Sequence, residues 1–172
     1  ITGDFWDEWS KLYAMFERCY AWQDYVQPGA WPDCDMLPLG HIQLTELLPE
    51  YRSRYTRFTK DEQITMMTLW GIFRSPLMLG GEMRDNDEFT LSLLQNRELI
   101  DMLKNSCGAK QFSRKETDGK GEIIWTSKGE NCKYVALFNT DDEQRSINFD
   151  VTDVAMGGMS YSVWDMWSHN EY

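Results

Sequence analysis

TKDEQITMMTLWGIFRSPLMLGG, residues 59–81, decides the fold class. Thr59-Lys60-Asp61-Glu62 reads as a capping box, a hydroxyl at the N-cap with a glutamate three residues on. The helix behind it, ITMMTLWGIF, is apolar almost all round, as a helix wedged between a sheet and other helices must be. Pro76 ends it, and PLMLGG follows as a short strand-like run broken by Gly80 and Gly81. A buried helix feeding a short apolar strand is the unit of an α/β fold.

The same alternation extends outward. Upstream, Trp9, Leu12, Tyr13, Phe16 and Tyr20 recur at spacings of three and four between Asp7 and about Tyr25, one face of a helix. Residues 26–58 are irregular and carry Pro28, Pro32, Pro38 and Pro49; a loop of that length inside a compact protein is usually functional. Downstream, Asn86-Asp87-Glu88 opens a helical region with Leu91, Leu94, Leu99, Ile100 and Leu103 on its apolar side. After Cys107-Gly108 the period drops to two. GEIIWTSK, KYVALFNT, RSINFDV and MSYSVWDMW read as short strands parted by turn signals at Asp118-Gly119, Gly129, Asp141-Asp142 and Gly157-Gly158. The expected organisation is α/β over residues 1–106 and a small antiparallel all-β domain over 107–172.

Composition excludes several classes. The chain has 172 residues, 42% of them hydrophobic, enough for a real core. A formal net charge of −11 with no basic run argues against a nucleic-acid or anionic-membrane partner. The apolar runs are far too short to span a bilayer. Cys19, Cys34, Cys107 and Cys132 show no CxxC spacing and read as mostly buried free thiols. Aromatic residues make up 14%, with eight Trp, which leans toward stacking on sugars or flat ligands.

Two acidic clusters carry the chemistry. WPDCDMLPLGH, residues 31–41, sets Asp33 and Asp35 either side of Cys34 among apolar neighbours, and burying carboxylates there is costly without a purpose. Asp33, Asp35 and His41, with Cys34, have the donor types of a metal site, but the proline-rich surroundings suit one poorly. The ordinary reading is that Asp33 caps a turn while Asp35 accepts from loop amides. In ITGDFWDEW, residues 1–9, Asp4 precedes the first helix, and its ordinary reading is an N-cap. At a strand-to-helix junction of a barrel, however, Asp4 and Asp35 would share the C-terminal rim, where barrel active sites are built. Two rim carboxylates among Trp6, Trp31 and Met36 fit a carbohydrate pocket, acids for protonation and hydroxyl contacts, apolar side chains for the C–H face of the ring.

GDFWDEW, PGAWPDCDMLPLG, TKDEQITMMTLWGIFRSPLMLGGEMR and LLQNRELI together resemble the C-terminal half of clan-D α-glycosidases, and of these glycoside hydrolase family 27 most, the α-galactosidases and α-N-acetylgalactosaminidases. The resemblance covers about residues 1–104; YVALFNTDDE and YSVWDMW resemble the family's β-domain strands more weakly. It implies the C-terminal portion of a (β/α)8 TIM barrel followed by a small antiparallel β-sandwich, and a retaining hydrolysis of terminal α-galactosides or α-N-acetylgalactosaminides. It also implies that Asp4 is the general acid/base and that Asp35 and Met36 line the sugar pocket. Trp31 and Asp33, in the same motif, belong to the substrate loop and shape it. No cofactor is implied.

The resemblance leaves parts unaccounted for. The family nucleophile lies in a Lys-x-Asp motif on an earlier strand, and Thr59-Lys60-Asp61 is a helix cap, not a substitute. Three strand–helix units cannot close an eight-stranded barrel, so the chain reads as a C-terminal fragment whose partner is the N-terminal part of the barrel. Nothing between Ile1 and Tyr172 sets a compartment; glycan degradation suits a secreted or periplasmic enzyme. Two other classes stay open, a non-catalytic carbohydrate-binding module and a structural relative. Sugar binding without turnover marks the first, and an Asp4 that acts only as a helix cap marks the second.

Overall fold

The computed structural model describes residues 1–44, 52–154 and 160–172. Helix α1 (Trp9–Trp22) runs into a 3₁₀ turn (Gln23–Tyr25). Its N-cap is Glu8, with no side-chain cap bond, so Asp4 lies upstream and does not cap it. The stripe it buries is Leu12, Met15, Phe16 and Cys19, while Tyr20 is exposed. Leu12 and Phe16 belong to the expected 9-12-13-16-20 stripe, but the buried face is rotated toward Met15 and Cys19 and leaves Trp9 and Tyr13 half-buried, because α1 covers both α2 and the β-sheet.

The stretch quoted first folds as its pattern requires. Helix α2 (Lys60–Phe73) opens with the expected capping box: Glu62 N donates to Thr59 Oγ1 at 3.2 Å and Thr59 N to Glu62 Oε2 at 2.7 Å. It closes on Arg74, left-handed at φ 68°, two residues before Pro76. Met66, Met67, Leu69, Trp70, Ile72 and Phe73 are all fully buried, so the helix is covered on nearly every side. The Arg74 guanidinium then bonds the carbonyls of Leu103, Lys104 and Ser106, which the end of a helix leaves without partners.

PLMLGG is reduced to a parallel bridge between Leu37 and Leu79, with Leu37 N donating to Met78 O and Gly80 N to Leu37 O. Two neighbouring strands thus run parallel on either side of α2, the α/β pairing expected. The long loop between them is not wholly irregular. β1 (His41–Ile42) pairs antiparallel with β2 (Arg54–Tyr55), and Pro49 lies outside the described residues. The region after Asn86 is two helices, α3 (Glu88–Leu94) and α4 (Arg97–Asn105), capped by Asp87 and Asn96. The first ends on Gln95 and Asn96 starts the second; the buried apolar positions are Leu93, Leu99, as expected, and Met102, while Leu91 is exposed and Ile100 and Leu103 are half-buried.

Beyond α4 three antiparallel strands follow in order, β3 (Cys107–Thr117), β4 (Lys120–Lys128) and β5 (Lys133–Asn139). Asp118 and Gly119, both at positive φ, make the two-residue turn their sequence announced. β3 itself was not legible, since CGAKQFSRKET is mostly charged or polar; it is held by its ladder to β4, with Tyr13 of α1 donating to Glu116. RSINFDV, expected as a strand, forms none; Phe149 packs edge-on against Phe112 and a 3₁₀ turn (Val151–Asp153) follows. MSYSVWDMW contributes only β6 (Trp164–Asp165), paired with β7 (Asn170–Glu171); Met159 and the Gly157-Gly158 turn lie outside the described residues. Of the thiols, Cys19 and Cys34 are buried but Cys107 and Cys132, at strand ends, are exposed.

The sheet shares one core with the helices. Phe16 meets Phe138 at 4.9 Å and Phe73 meets Trp125 at 6.2 Å, both edge-on. Among the described residues no helix is long and apolar enough to cross a membrane.

Gly80 and Gly81 let the second parallel strand approach the first. A Cβ at 81 would stand 2.0 Å from Leu39 O, and one at 80 would stand 2.6 Å from Met36 Sδ. Gly81→Ala therefore destabilises the protein by about 1–3 kcal/mol through overpacking against backbone. Urea unfolding measures this, and an unchanged midpoint would show that the strands can part without cost.

Candidate active site

Phe5 joins the two acidic clusters. Its amide donates to Asp35 Oδ2 at 2.6 Å, so the Asp35 carboxylate lies against the residue following Asp4. The Phe5 ring is buried 5.0 Å from Trp70 of α2, and Trp70 Nε1 returns a bond to Asp35 O at 3.3 Å. Asp4, between Gly3 and Phe5, is exposed. Asp35 sits at φ 75°, a left-handed conformation that costs a non-glycine residue free energy and tends to persist at functional sites. Asp33 Oδ1 accepts from Asp35 N at 2.7 Å and so pins that turn. Met36 lies with its sulfur close to Gly80. Trp31 points elsewhere: it is 46% exposed with the Arg74 guanidinium 5.8 Å from its ring, at the end of α2.

The metal alternative does not assemble. His41 bonds Asp85 through Nδ1 and Ser53 through Nε2, both at 2.6 Å. Among the described residues no three His, Cys, Asp or Glu side chains stand together as ligands.

One carboxylate at the site escaped the sequence reading. Asp7, three residues after Asp4, has a fully buried side chain. Arg54 grips it with two bonds of 2.5 and 2.8 Å, and Arg57 N adds a third at 2.6 Å. Burial alone would push its carboxyl up; the Arg54 hydrogen bonds, the Arg57 amide and the Arg54 charge outweigh it and hold the group below 3.8. The residue stood within ITGDFWDEW, but its partner lies 47 residues away and nothing local marked it as buried.

Beside this rim lies a cavity of about 710 Å³ whose walls include Trp6, His41, Gln43, Gly80, Glu82 and Arg84. Asp4 and Asp35 do not line it, yet it touches both clusters, through Trp6 on one side and through Gly80, against Met36, on the other. Gln43 is left-handed like Asp35, at φ 57°, and its Oε1 accepts from Arg54.

The model described as alpha galactosidase A matches residues 2–105, more than half of the chain. The chain belongs to that family. A second model, the alpha galactosidase C-terminal beta sandwich domain, matches residues 119–172. A rice (Oryza sativa subsp. japonica) alpha-galactosidase is 27% identical over 173 residues, 99% of this chain and 38% of that protein. Among solved structures, the family 27 β-L-arabinopyranosidase of Geobacillus stearothermophilus is 47% identical with a TM-score of 0.89, over 99% of this chain and 38% of that one. A candidate alpha-N-acetylgalactosaminidase from Bacillus halodurans is 46% identical with a TM-score of 0.85, over 100% of this chain and 40% of that one. The fold is thus the C-terminal portion of a (β/α)8 barrel with its β-sandwich, and the chain spans 38% of the rice relative's length.

Asp7→Asn, which leaves Arg54 without its counter-charge, costs about 3 kcal/mol, as breaking a buried pair does. Because folding lowers the Asp7 pKa, its contribution is complete above 3.8 and is lost as pH falls through the lower folded value. Unfolding midpoints of parent and variant should therefore differ at neutral pH and converge in acid. A gap that stays constant with pH would remove the charge from the explanation.

Proposed function

We propose that the full-length protein carrying this chain is a retaining glycoside hydrolase acting on a terminal galacto-configured residue, with Asp4 as general acid/base. The observation that carries the reading is the Phe5 amide on Asp35 at 2.6 Å, which sets two carboxylate-bearing segments side by side, Asp35 two residues before the parallel bridge at Leu37. Active sites of such barrels are built on the rim at one end of the parallel strands. In this reading Asp4 protonates the leaving oxygen and later takes a proton from water, while a second carboxylate about 5–5.5 Å away attacks the anomeric carbon. That nucleophile comes from a part of the protein outside this chain. Asp35 accepts a sugar hydroxyl, Met36 covers the ring's apolar face, and Asp33 and Trp31 shape the loop that carries both. The barrel part, residues 1–106, holds the site, and residues 107–172 form the β part; this division belongs to the proposal.

The sugar is an α-galactoside or an α-N-acetylgalactosaminide. A β-L-arabinopyranoside is a second reading, favoured by 47% identity to an arabinopyranosidase that has also been solved with arabinose. These glycosides share their ring stereochemistry and differ at C2 or in the presence of C6. Family membership and the exposed position of Asp4 support hydrolysis over a binding module.

The test is turnover of the three aryl glycosides, side by side, by full-length protein. Hydrolysis of one names the sugar; binding without turnover of any would favour the non-catalytic module. Asp4→Asn should slow poor leaving groups by about a hundredfold or more and activated ones far less, because only the former need protonation. An equal loss on both would remove Asp4 from that role. Asp35→Ala should raise KM and lower kcat together, since a buried hydroxyl would lose its partner; unchanged constants would take Asp35 out of the site.

A further inference from the structure

We propose that Cys19 and Cys34 are a redox latch: hydrogen peroxide joins their thiols in a disulfide that draws the Asp33–Asp35 turn toward α1 and weakens the site. The effect on turnover rests on the glycosidase reading; the cross-link itself does not. The first support is geometry. Cys19 stands on α1 and Cys34 between the two carboxylates of the loop, and their sulfurs lie 3.8 Å apart. Both side chains are fully buried, in the core that α1, α2 and the Leu37–Leu39 run share. Because both sulfurs are already inside, chain packed onto the outside of this core does not reach their contact.

The second support is what each sulfur is attached to. Leu12, Met15 and Phe16 seat α1 in the core along with Cys19. The Cys34 amide donates to Ser75 Oγ at 2.9 Å, and the next residue is Asp35 with its left-handed backbone. A disulfide holds its sulfurs about 2.05 Å apart, so the pair must close by about 1.8 Å. A helix seated along its inner face moves less readily than a turn held by hydrogen bonds, so the turn gives. Asp35 then draws away from the Phe5 amide that orients its carboxylate. A misplacement of about 1 Å is enough to cost an enzyme on the order of a hundredfold in rate.

The chemistry is balanced by the peroxide. One thiolate attacks a peroxide oxygen and displaces hydroxide, leaving a sulfenic acid; the other sulfur attacks the sulfenic sulfur and displaces a second hydroxide. The two thiol protons end on those hydroxides, so two thiols and one peroxide give one disulfide and two waters. Two electrons pass from sulfur to oxygen. Burial, and after it the neighbouring Cys34 sulfur, pushes the Cys19 thiol well above its ordinary range, so the thiolate is scarce and oxidation is slow. The latch therefore answers sustained peroxide and not bulky disulfides, which do not reach buried sulfur.

Full-length protein is incubated with hydrogen peroxide, its remaining thiols are blocked, and it is digested without reduction and mapped by mass spectrometry. The expected result is a peptide pair joined through Cys19 and Cys34, with kcat/KM on the aryl glycoside lowered by about tenfold or more. In Cys19→Ala the same treatment should leave kcat/KM unchanged. Absence of the joined pair from the unsubstituted protein would overturn the latch, whether or not the variant folds. A joined pair with unaltered turnover, or an equal loss in Cys19→Ala, would overturn its action on the site and put the loss elsewhere, as in oxidation of Met36 to its sulfoxide. Unsubstituted protein that forms the pair yet hydrolyses none of the glycosides before oxidation would sink the glycosidase reading and the effect on turnover, while the cross-link stands.

Discussion

Phe5 works on two sides of the molecule at once. Its ring is buried against Trp70 and lies 6.1 Å from Phe58, while its amide holds the Asp35 carboxylate. The position of Asp4 is therefore coupled to the packing of α2. Buried aromatic rings have few alternative placements in a close-packed core, so the backbone on which Asp4 sits is fixed by the Phe5 ring together with the bonds of Ile1 to Asp33 and of Arg18 to Thr2. Asp35 is fixed from three directions: the Phe5 amide on its carboxylate, the Trp70 indole on its carbonyl and Asp33 on its amide. Its left-handed backbone is tolerated because these bonds over-determine it.

A second clamp works from the polar side. The Asp7 carboxylate is out of water, and an ionised group there is tolerable only with full compensation. Arg54 and the Arg57 amide supply it, and in doing so they fasten the segment following Asp4 to the strand β2 and the approach to α2. Such a pair adds less net stability than its short bonds suggest, because desolvation offsets most of the attraction. Its value lies in what breaks when one partner is removed. The rim is thus held by a hydrophobic anchor at Phe5 and an ionic anchor at Asp7, with Asp4 beside them facing ligand space in the proposed reading.

The Gly80–Arg84 segment is built differently, on close backbone approach. Gly80 and Gly81 bring the second parallel strand so close to Leu39 that no side chain fits between, and the chain then turns into the Glu82–Arg84 pair. In a (β/α)8 enzyme the strands set the geometry and the loops after them set the chemistry.

The sequence by itself determined the helices and the α/β class. The capping box at Thr59–Glu62, the all-round apolar helix behind it and the Asp-Gly turn at 118–119 act over a few residues, and local physics was enough to read them. The residues of the proposed site were legible chiefly through resemblance, since a lone aspartate before a helix is ordinarily a cap. Only the tertiary structure moved the α1 cap to Glu8 and rotated that helix toward Met15 and Cys19. It alone turned RSINFDV away from strand pairing, showed a charged strand at 107–117 held by its neighbour, and gave buried Asp7 its partner 47 residues away. Each of these depends on contacts between segments distant in the chain, whose energies no local pattern of residue types records.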